Sequence, residues 1–229
     1  MIKKCKNAML GISEIVDGDM HLSNSQSVIN RRKYFEKIDL KNLPVVSARL
    51  ADGNKVRIIK NQNKNRTVNG VDALITNEKD LILSVTTADC LPIYFYESSL
   101  GVIGIVHVGW RGLLNQTITN TIKAMKNEYG VSVRKIKIMI GPHIQKCHFE
   151  VKDDVWLQFK KYDSARIEID SKKYIDLSEV AVSQAKKLGI LKSNIVVSRK
   201  CTHRLRNRYF SFRRDKILKT MINFIVCKK

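Results

Sequence analysis

Residues 81–108 constrain the fold more than any other stretch of this chain. Leu81-Ile82-Leu83-Ser84-Val85-Thr86-Thr87-Ala88 reads as a buried strand that runs into Asp89 and Cys90. Pro92 begins a second apolar run, Ile93-Tyr94-Phe95-Tyr96. After a Ser98-Ser99-Leu100-Gly101 turn, Val102-Ile103-Gly104-Ile105-Val106 delivers His107. A strand pair joined by so tight a turn holds its two ends together, and here those ends carry Cys90 and His107. A thiol and an imidazole brought together suit either a zinc site or an activated nucleophile.

The remaining pattern predicts strands at 44–49, 55–60, 80–88, 92–97, 102–107, 135–140, 194–198 and 221–227. Helices are predicted at 26–37, 113–128, 152–161 and 176–188. Gly130 is a suitable residue to end the helix at 113–128. Asp176, with Glu179 three residues on, resembles a capping box that opens the helix at 176–188. The polar stretch Lys60-Asn61-Gln62-Asn63-Lys64-Asn65-Arg66 reads as a long exposed loop or hairpin tip. Strands and helices mix irregularly, which predicts α/β in the sense of a mixed α+β sandwich rather than a regular βαβ series. With 229 residues, 44% of them hydrophobic, and no repeat or linker, the chain is expected to form a single domain over 1–229.

Composition narrows the functional classes. No apolar run reaches the roughly 18 residues that span a membrane, and the basic N-terminal stretch lacks the apolar core of a signal peptide. Five cysteines without a CxxC pair do not form a disulfide framework or zinc finger, so a cytoplasmic location is expected. The net charge of +21 would favour polyanions. Its lysines and arginines are nevertheless spread along the chain, densest at Arg204–Arg208 and Arg213-Arg214, and solvated basic faces are the favoured reading over nucleic-acid binding.

Other candidate residues cluster after the strands. In His107-Val108-Gly109-Trp110-Arg111-Gly112 the glycines permit close backbone approach to a ligand. The helix start beyond Gly112 and the guanidinium of Arg111 suit phosphate or carboxylate. On an extended backbone Asp89 and Cys90 face opposite ways, which suits Asp89 to anchoring a loop, with an acid–base role the competing reading. His143, in a Gly-Pro turn, can point into a cleft. Cys147 and His148 are adjacent and cannot easily face one metal, which favours a structural role for the pair. His21 and His203 read as isolated loop residues, and Cys201 as a small buried hydrophobe.

Taken in order, these segments resemble one family. Thr87-Ala88-Asp89-Cys90-Leu91-Pro92, His107–Gly112, Gly141-Pro142-His143-Ile144, Cys147-His148-Phe149-Glu150-Val151, Cys201-Thr202 and Phe210–Asp215 are similar to the YfiH-type laccase-domain proteins. These were once named multicopper polyphenol oxidases and are now described as purine nucleoside phosphorylases. The resemblance implies an α/β sandwich distantly like Cys–His toxin deamidases. It implies phosphorolysis of adenosine, inosine and methylthioadenosine, with deamination of adenosine alongside, and so purine nucleosides and phosphate as partners. It also implies zinc rather than copper, held by two histidines and a cysteine. Cys90 and His107 match two of these ligands. The other histidine belongs in the segment Ala48–Val56, where this chain has Asp52; aspartate is a legitimate zinc ligand. The alternatives are that His143 substitutes or that the site is weakened. Arg49 in the same segment, with Arg111, Gly112 and His143, is expected to hold substrate or phosphate, and Asp89 is the candidate proton shuttle beside Cys90 and His107. The family's Gly-Arg pair after Arg-Arg-Asp is missing, with Lys216–Thr220 in its place.

Two other classes compete with this reading. A metal-free hydrolase with Cys90 as nucleophile is sensitive to alkylation and indifferent to chelators. A degenerate member acting as a basic nucleic-acid binder shows salt-dependent binding that survives loss of Cys90.

Overall fold

The computed structural model describes residues 2–5 and 7–229, without the side chains of Lys4 and Cys5, so any role of the Cys5 thiol lies outside it. Its centre is the expected hairpin. Leu91–Glu97 pairs antiparallel with Val102–Val108, in a register that runs from Leu91 opposite Val108 to Glu97 opposite Val102. Successive side chains alternate between two cores. Leu91, Ile93 and Phe95 pack with Val102, Val106 and Val108 against helices, whereas Tyr94 and Tyr96 join Ile103 and Ile105 against a second sheet. Burial on both faces explains why these strands read as unbroken apolar runs.

The hairpin lies inside a six-stranded sheet ordered Ile195–Val197, Lys137–Ile140, Leu91–Glu97, Val102–Val108, Ala73–Thr76, Val56–Ile58. The facing sheet, also of six described strands, is ordered Ile2–Cys5, Ala8–Ile12, Met221–Cys227, Ile82–Thr87, Val45–Arg49, Arg66–Asn69. Leu83, Val85, Ile225 and Val46 of the latter meet Tyr94, Ile103 and Ile105 of the former. The Tyr94 hydroxyl crosses between them, 3.0 Å from both the Gly11 carbonyl and the Asn223 side-chain oxygen. Helices close the outer faces. Thr117–Tyr129 and Leu177–Lys187 cover the hairpin sheet, and Gln26–Lys37 sets Tyr34 and Phe35 against Phe224 on the other. The result is the mixed α/β sandwich that the sequence predicts. Among the described residues, no helix is long and apolar enough to cross a membrane.

Several elements differ from expectation. The helix expected at 113–128 is two: Trp110–Leu114, then Thr117–Tyr129, separated where Gln116 adopts a left-handed φ of 61°. Gly130 ends the second in the left-handed conformation, as its position suggested. Asp176 caps Leu177–Lys187 by accepting the Glu179 N–H at 3.0 Å. The polar 60–66 stretch is no hairpin tip, because Val56–Ile58 and Arg66–Asn69 belong to different sheets and the loop crosses between them. Arg66–Asn69, Ala73–Thr76 and the small sheet of Glu150–Val151, Lys172–Ile175 and Arg166–Ile169 are additional strands. They are four residues long or fewer, too short to show a period of their own.

Candidate active site

The hairpin register puts Pro92 opposite His107, so Cys90 and Gly109 face each other beyond the end of the ladder. A Cβ at position 109 would lie 3.2 Å from the Cys90 sulfur; glycine leaves room for the thiol over the backbone. His107 is 5% exposed, and its Nδ1 lies 3.7 Å from Asp72 Oδ1 and 3.9 Å from Asp52 Oδ1. Both separations are ionic contacts, too long for hydrogen bonds. Nδ1 is therefore buried without a hydrogen-bond partner, and such an atom calls for an explanation.

Asp52 reaches this point because of Asp72, which the sequence reading missed. Asp72 is 1% exposed and accepts the N–H groups of Ala51 at 3.2 Å and Gly53 at 2.9 Å, folding 51–53 into a tight turn. Asp52 sits in that turn with φ 53°, its carboxylate turned outward to solvent. The turn is pinned from the other side by the Thr117 hydroxyl, which donates to the Gly53 carbonyl at 2.8 Å. Gly112 makes that docking possible, since a Cβ there would lie 3.1 Å from Thr117 Oγ1 and 3.6 Å from Gly53 O. Ligand atoms of Asp52, Asp72 and His107 all lie within 4.8 Å of one another. Burial disfavours the imidazolium, yet the neighbouring Cys90 sulfur, Asp72 and Asp52 outweigh it and push the His107 pKa up to about 10. Burial works in the same sense against the Asp72 carboxylate. His107 and the Gly53 and Ala51 N–H groups overcome it and hold the pKa of Asp72 below the ordinary value.

Cys90, His107 and Asp52 open onto a cleft of about 430 Å³ at the rim of the two sheets. Arg49, Thr86 and Thr87 line it at the ends of their strands, with His21 and the apolar side chains of Phe212 and Leu218 completing the walls. His21 thus belongs to the cleft rather than to a remote loop. Its approach comes from the 19–24 turn, where Asp19 accepts the His21 N–H at 3.0 Å, and no local sequence signal announces it.

The other anticipated residues lie apart from the cleft lining. Arg111 is exposed and stacks on Trp110, its guanidinium carbon 4.2 Å from the ring centroid. Gly112 serves the Asp52 turn. His143 is 1% exposed, and its Nδ1–H donates to the Gly141 carbonyl at 2.8 Å while Nε2 accepts from the Gln145 amide at 3.0 Å. Burial holds its pKa below the ordinary histidine value, and a neutral ring with both nitrogens engaged has no free lone pair for a metal. Asp89 has φ 91°, so the face-alternation of an extended backbone does not apply to it. Its carboxylate accepts the Thr202 hydroxyl at 2.6 Å, the Ser211 hydroxyl at 2.9 Å and the Arg213 N–H at 2.7 Å. That is an anchor for the 202–213 segment directly beside Cys90.

Comparison with known proteins gives this geometry a relation. The profile of the multi-copper polyphenol oxidoreductase laccase family matches residues 18–228. The chain belongs to this family. Among curated members, a purine nucleoside phosphorylase from Bacteroides thetaiotaomicron is 35% identical over 67% of this chain, and one from Clostridium acetobutylicum is 34% identical over 75%. An adenosine deaminase from an unidentified prokaryote is 33% identical over 63% of the chain. The matched segments span 59%, 73% and 57% of those proteins, so the chain covers less than two thirds of the Bacteroides and deaminase relatives. Among solved structures, YlmD from Geobacillus stearothermophilus superposes with a TM-score of 0.92 at 26% identity, over 98% of this chain and 93% of that one.

Proposed function

We propose that this family member is a zinc-dependent purine nucleoside phosphorylase acting on adenosine, inosine and methylthioadenosine, with adenosine deamination in the same cleft. The observation that carries the reading is the buried, unpartnered His107 Nδ1 beside Asp52 at the base of that cleft. Imidazole, carboxylate and thiol form a donor set that suits zinc, which would displace the proton that His107 holds between the two carboxylates. Asp52, Cys90 and His107 would hold the metal. Asp72 keeps its oxygens on the Ala51 and Gly53 N–H groups, and so holds Asp52 in place. When bound, zinc supplies a Lewis acid that polarises an oxygen or nitrogen of the substrate or its water. Copper is disfavoured, because of the histidines only His21 and His107 line the cleft.

The chain's own side chains supply the rest. Arg49, exposed on the cleft wall, offers a planar fork for phosphate; Arg111 and the backbone beyond Gly112 stand outside the lining. Phe212 and Leu218 give a purine ring an apolar wall on which to stack. Asp89 acts by position: through Thr202, Ser211 and Arg213 it fixes the segment that carries Phe212. The net charge of +21 draws phosphate toward the cleft without requiring a nucleic-acid partner. In the same proposal residues 1–229 work as one unit in the cytoplasm, consistent with free thiols at Cys90, Cys147, Cys201 and Cys227.

The test is phosphate-dependent release of base from inosine and adenosine, before and after chelation. Turnover lost on chelation, restored by zinc and absent from His107→Ala supports the proposal. Undiminished turnover in the chelated protein and in His107→Ala sinks it, and inactivation by alkylation alone would favour the Cys90 hydrolase.

A further inference from the structure

A second group of metal-capable side chains stands apart from the cleft lining. Cys147, His148 and Cys201 bring Sγ, an imidazole nitrogen and Sγ within 4.8 Å of one another. Adjacent residues on a strand point opposite ways, and on such a backbone Cys147 and His148 could not share one ion. Here they lie in a turn closed by His148 N–H and Phe149 N–H donating to the Gln145 carbonyl, at 2.9 and 3.1 Å. Helical curvature of that turn swings both side chains toward Cys201, on the loop after Ile195–Val197. That loop is held alongside by the single parallel bridge between His143 and Cys201.

We propose that Cys147, His148 and Cys201 form a second, structural site for a thiophilic transition cation, zinc(II) foremost. The distances are close to those such an ion sets. Zinc bonds of about 2.3 Å to sulfur and 2.0 Å to nitrogen at a tetrahedral angle separate S and N by roughly 3.5 Å. Cys201 Sγ lies 3.6 Å from His148 Nδ1, and Cys147 Sγ lies 2.9 Å from it, so the exposed Cys147 side chain has to move outward. The Gln145 N–H points at the Cys201 sulfur at 3.4 Å, a donor that stabilises a thiolate. His203 stacks on His148, with ring centroids 4.2 Å apart and planes at 27°, fixing the plane of the ligating imidazole. On binding, the two thiols release their protons to solvent and no electron is transferred; the fourth position takes a water.

The site has a structural consequence. Thr202, next to Cys201, donates to Asp89, next to Cys90. An ion that clips the 145–149 turn to Cys201 therefore braces the anchor behind the cleft without touching it.

The experiment uses the full-length, reduced, metal-free chain and zinc alone as the probe, with bound zinc counted by elemental analysis after dialysis. The background is His107→Ala, which disables the cleft site. In that background one equivalent of zinc is expected, falling below about one tenth when Cys147→Ser is added. Cobalt(II) in the same background is expected to show sulfur-to-metal charge-transfer absorption, lost with Cys147→Ser. Cys147 is exposed, so its replacement spares the core; buried Cys201→Ala, checked for its fold by circular dichroism, is expected to lose zinc equally. No zinc in His107→Ala, or equal zinc with and without Cys147, overturns the proposal. A Cys147–Cys201 disulfide in protein purified without reductant, followed by no uptake after reduction, overturns it too. Failure of the cleft site alone reads differently: wild type then binds one equivalent, and only Cys147→Ser abolishes it.

Discussion

The two ends of the central hairpin are built on opposite principles. At the closed end the Glu97 carboxylate, in a residue 1% exposed, accepts the Ser99 N–H at 3.1 Å, the Ser99 hydroxyl at 2.7 Å and the Leu100 N–H at 2.8 Å. At the open end His107 is as thoroughly enclosed, yet its Nδ1 has no hydrogen-bond partner and faces two carboxylates across ionic distances. The same two strands hold both groups. Saturated polar burial stabilises a fold, whereas a buried ring held by charge alone, with no hydrogen-bond partner, is left open to a ligand.

Replacing residues along the hairpin sharpens the contrast. His107→Ala is expected to lower kcat/KM for phosphorolysis about a thousandfold, or roughly 4 kcal/mol of barrier, the scale of lost Lewis-acid stabilisation. Its metal-free stability in urea at pH 7 is expected to fall, because the raised His107 pKa marks an imidazolium whose pairing with Asp72 is lost; unchanged stability with intact kinetics would erase the distinction between the ends. Asp89→Ala strands two hydroxyls and an N–H without their acceptor. About 3 kcal/mol of unfolding free energy is expected to go with it, measured by urea titration. Tyr94→Phe, midway along the hairpin, removes the hydroxyl that joins the sheets and is expected to cost about 1–2 kcal/mol in the same assay with kinetics unaltered.

The smallest effect falls at the closed end and depends on pH. Burial alone would raise the Glu97 carboxyl, but the Ser99 hydroxyl and the Leu100 and Ser99 N–H groups outweigh it and leave the folded pKa below the ordinary value. A carboxylate depressed in this way stabilises the fold above its unfolded pKa of about 4.3, and that contribution fades as pH falls through the folded value. Glu97→Gln is expected to lose about 1 kcal/mol at pH 7 and progressively less below pH 4. A gap between mutant and wild type that does not narrow in acid would show that Glu97 acts by shape rather than by charge.

Much of this contrast was legible in the residues. Unbroken apolar runs marked the hairpin and its neighbours because both faces are buried, and the ends of those runs named Cys90 and His107. What escaped depended on distant parts of the chain. Asp72 looks ordinary in Val71-Asp72-Ala73, and its importance comes from a turn 19 to 21 residues earlier in the chain. His21 enters the cleft from a loop, and the break at Gln116 needed a left-handed backbone that a glutamine does not advertise. Nor does adjacency of Cys147 and His148 show that the turn at Gln145 brings both beside Cys201.

The position of Met221–Cys227 carries a consequence in time. This strand lies in the interior of its sheet, flanked by Ala8–Ile12 on one side and Ile82–Thr87 on the other. A ribosome therefore delivers both flanking strands long before the one that joins them. The hairpin of Leu91–Glu97 and Val102–Val108 can close as soon as it emerges, because its contacts are local. The facing sheet lacks its interior strand until the last residues emerge, and Leu10, Leu83 and Val85 gain Ile225 beside them only then. Such an interval invites aggregation, and it makes this chain a natural client for whatever shields hydrophobic surface on nascent proteins.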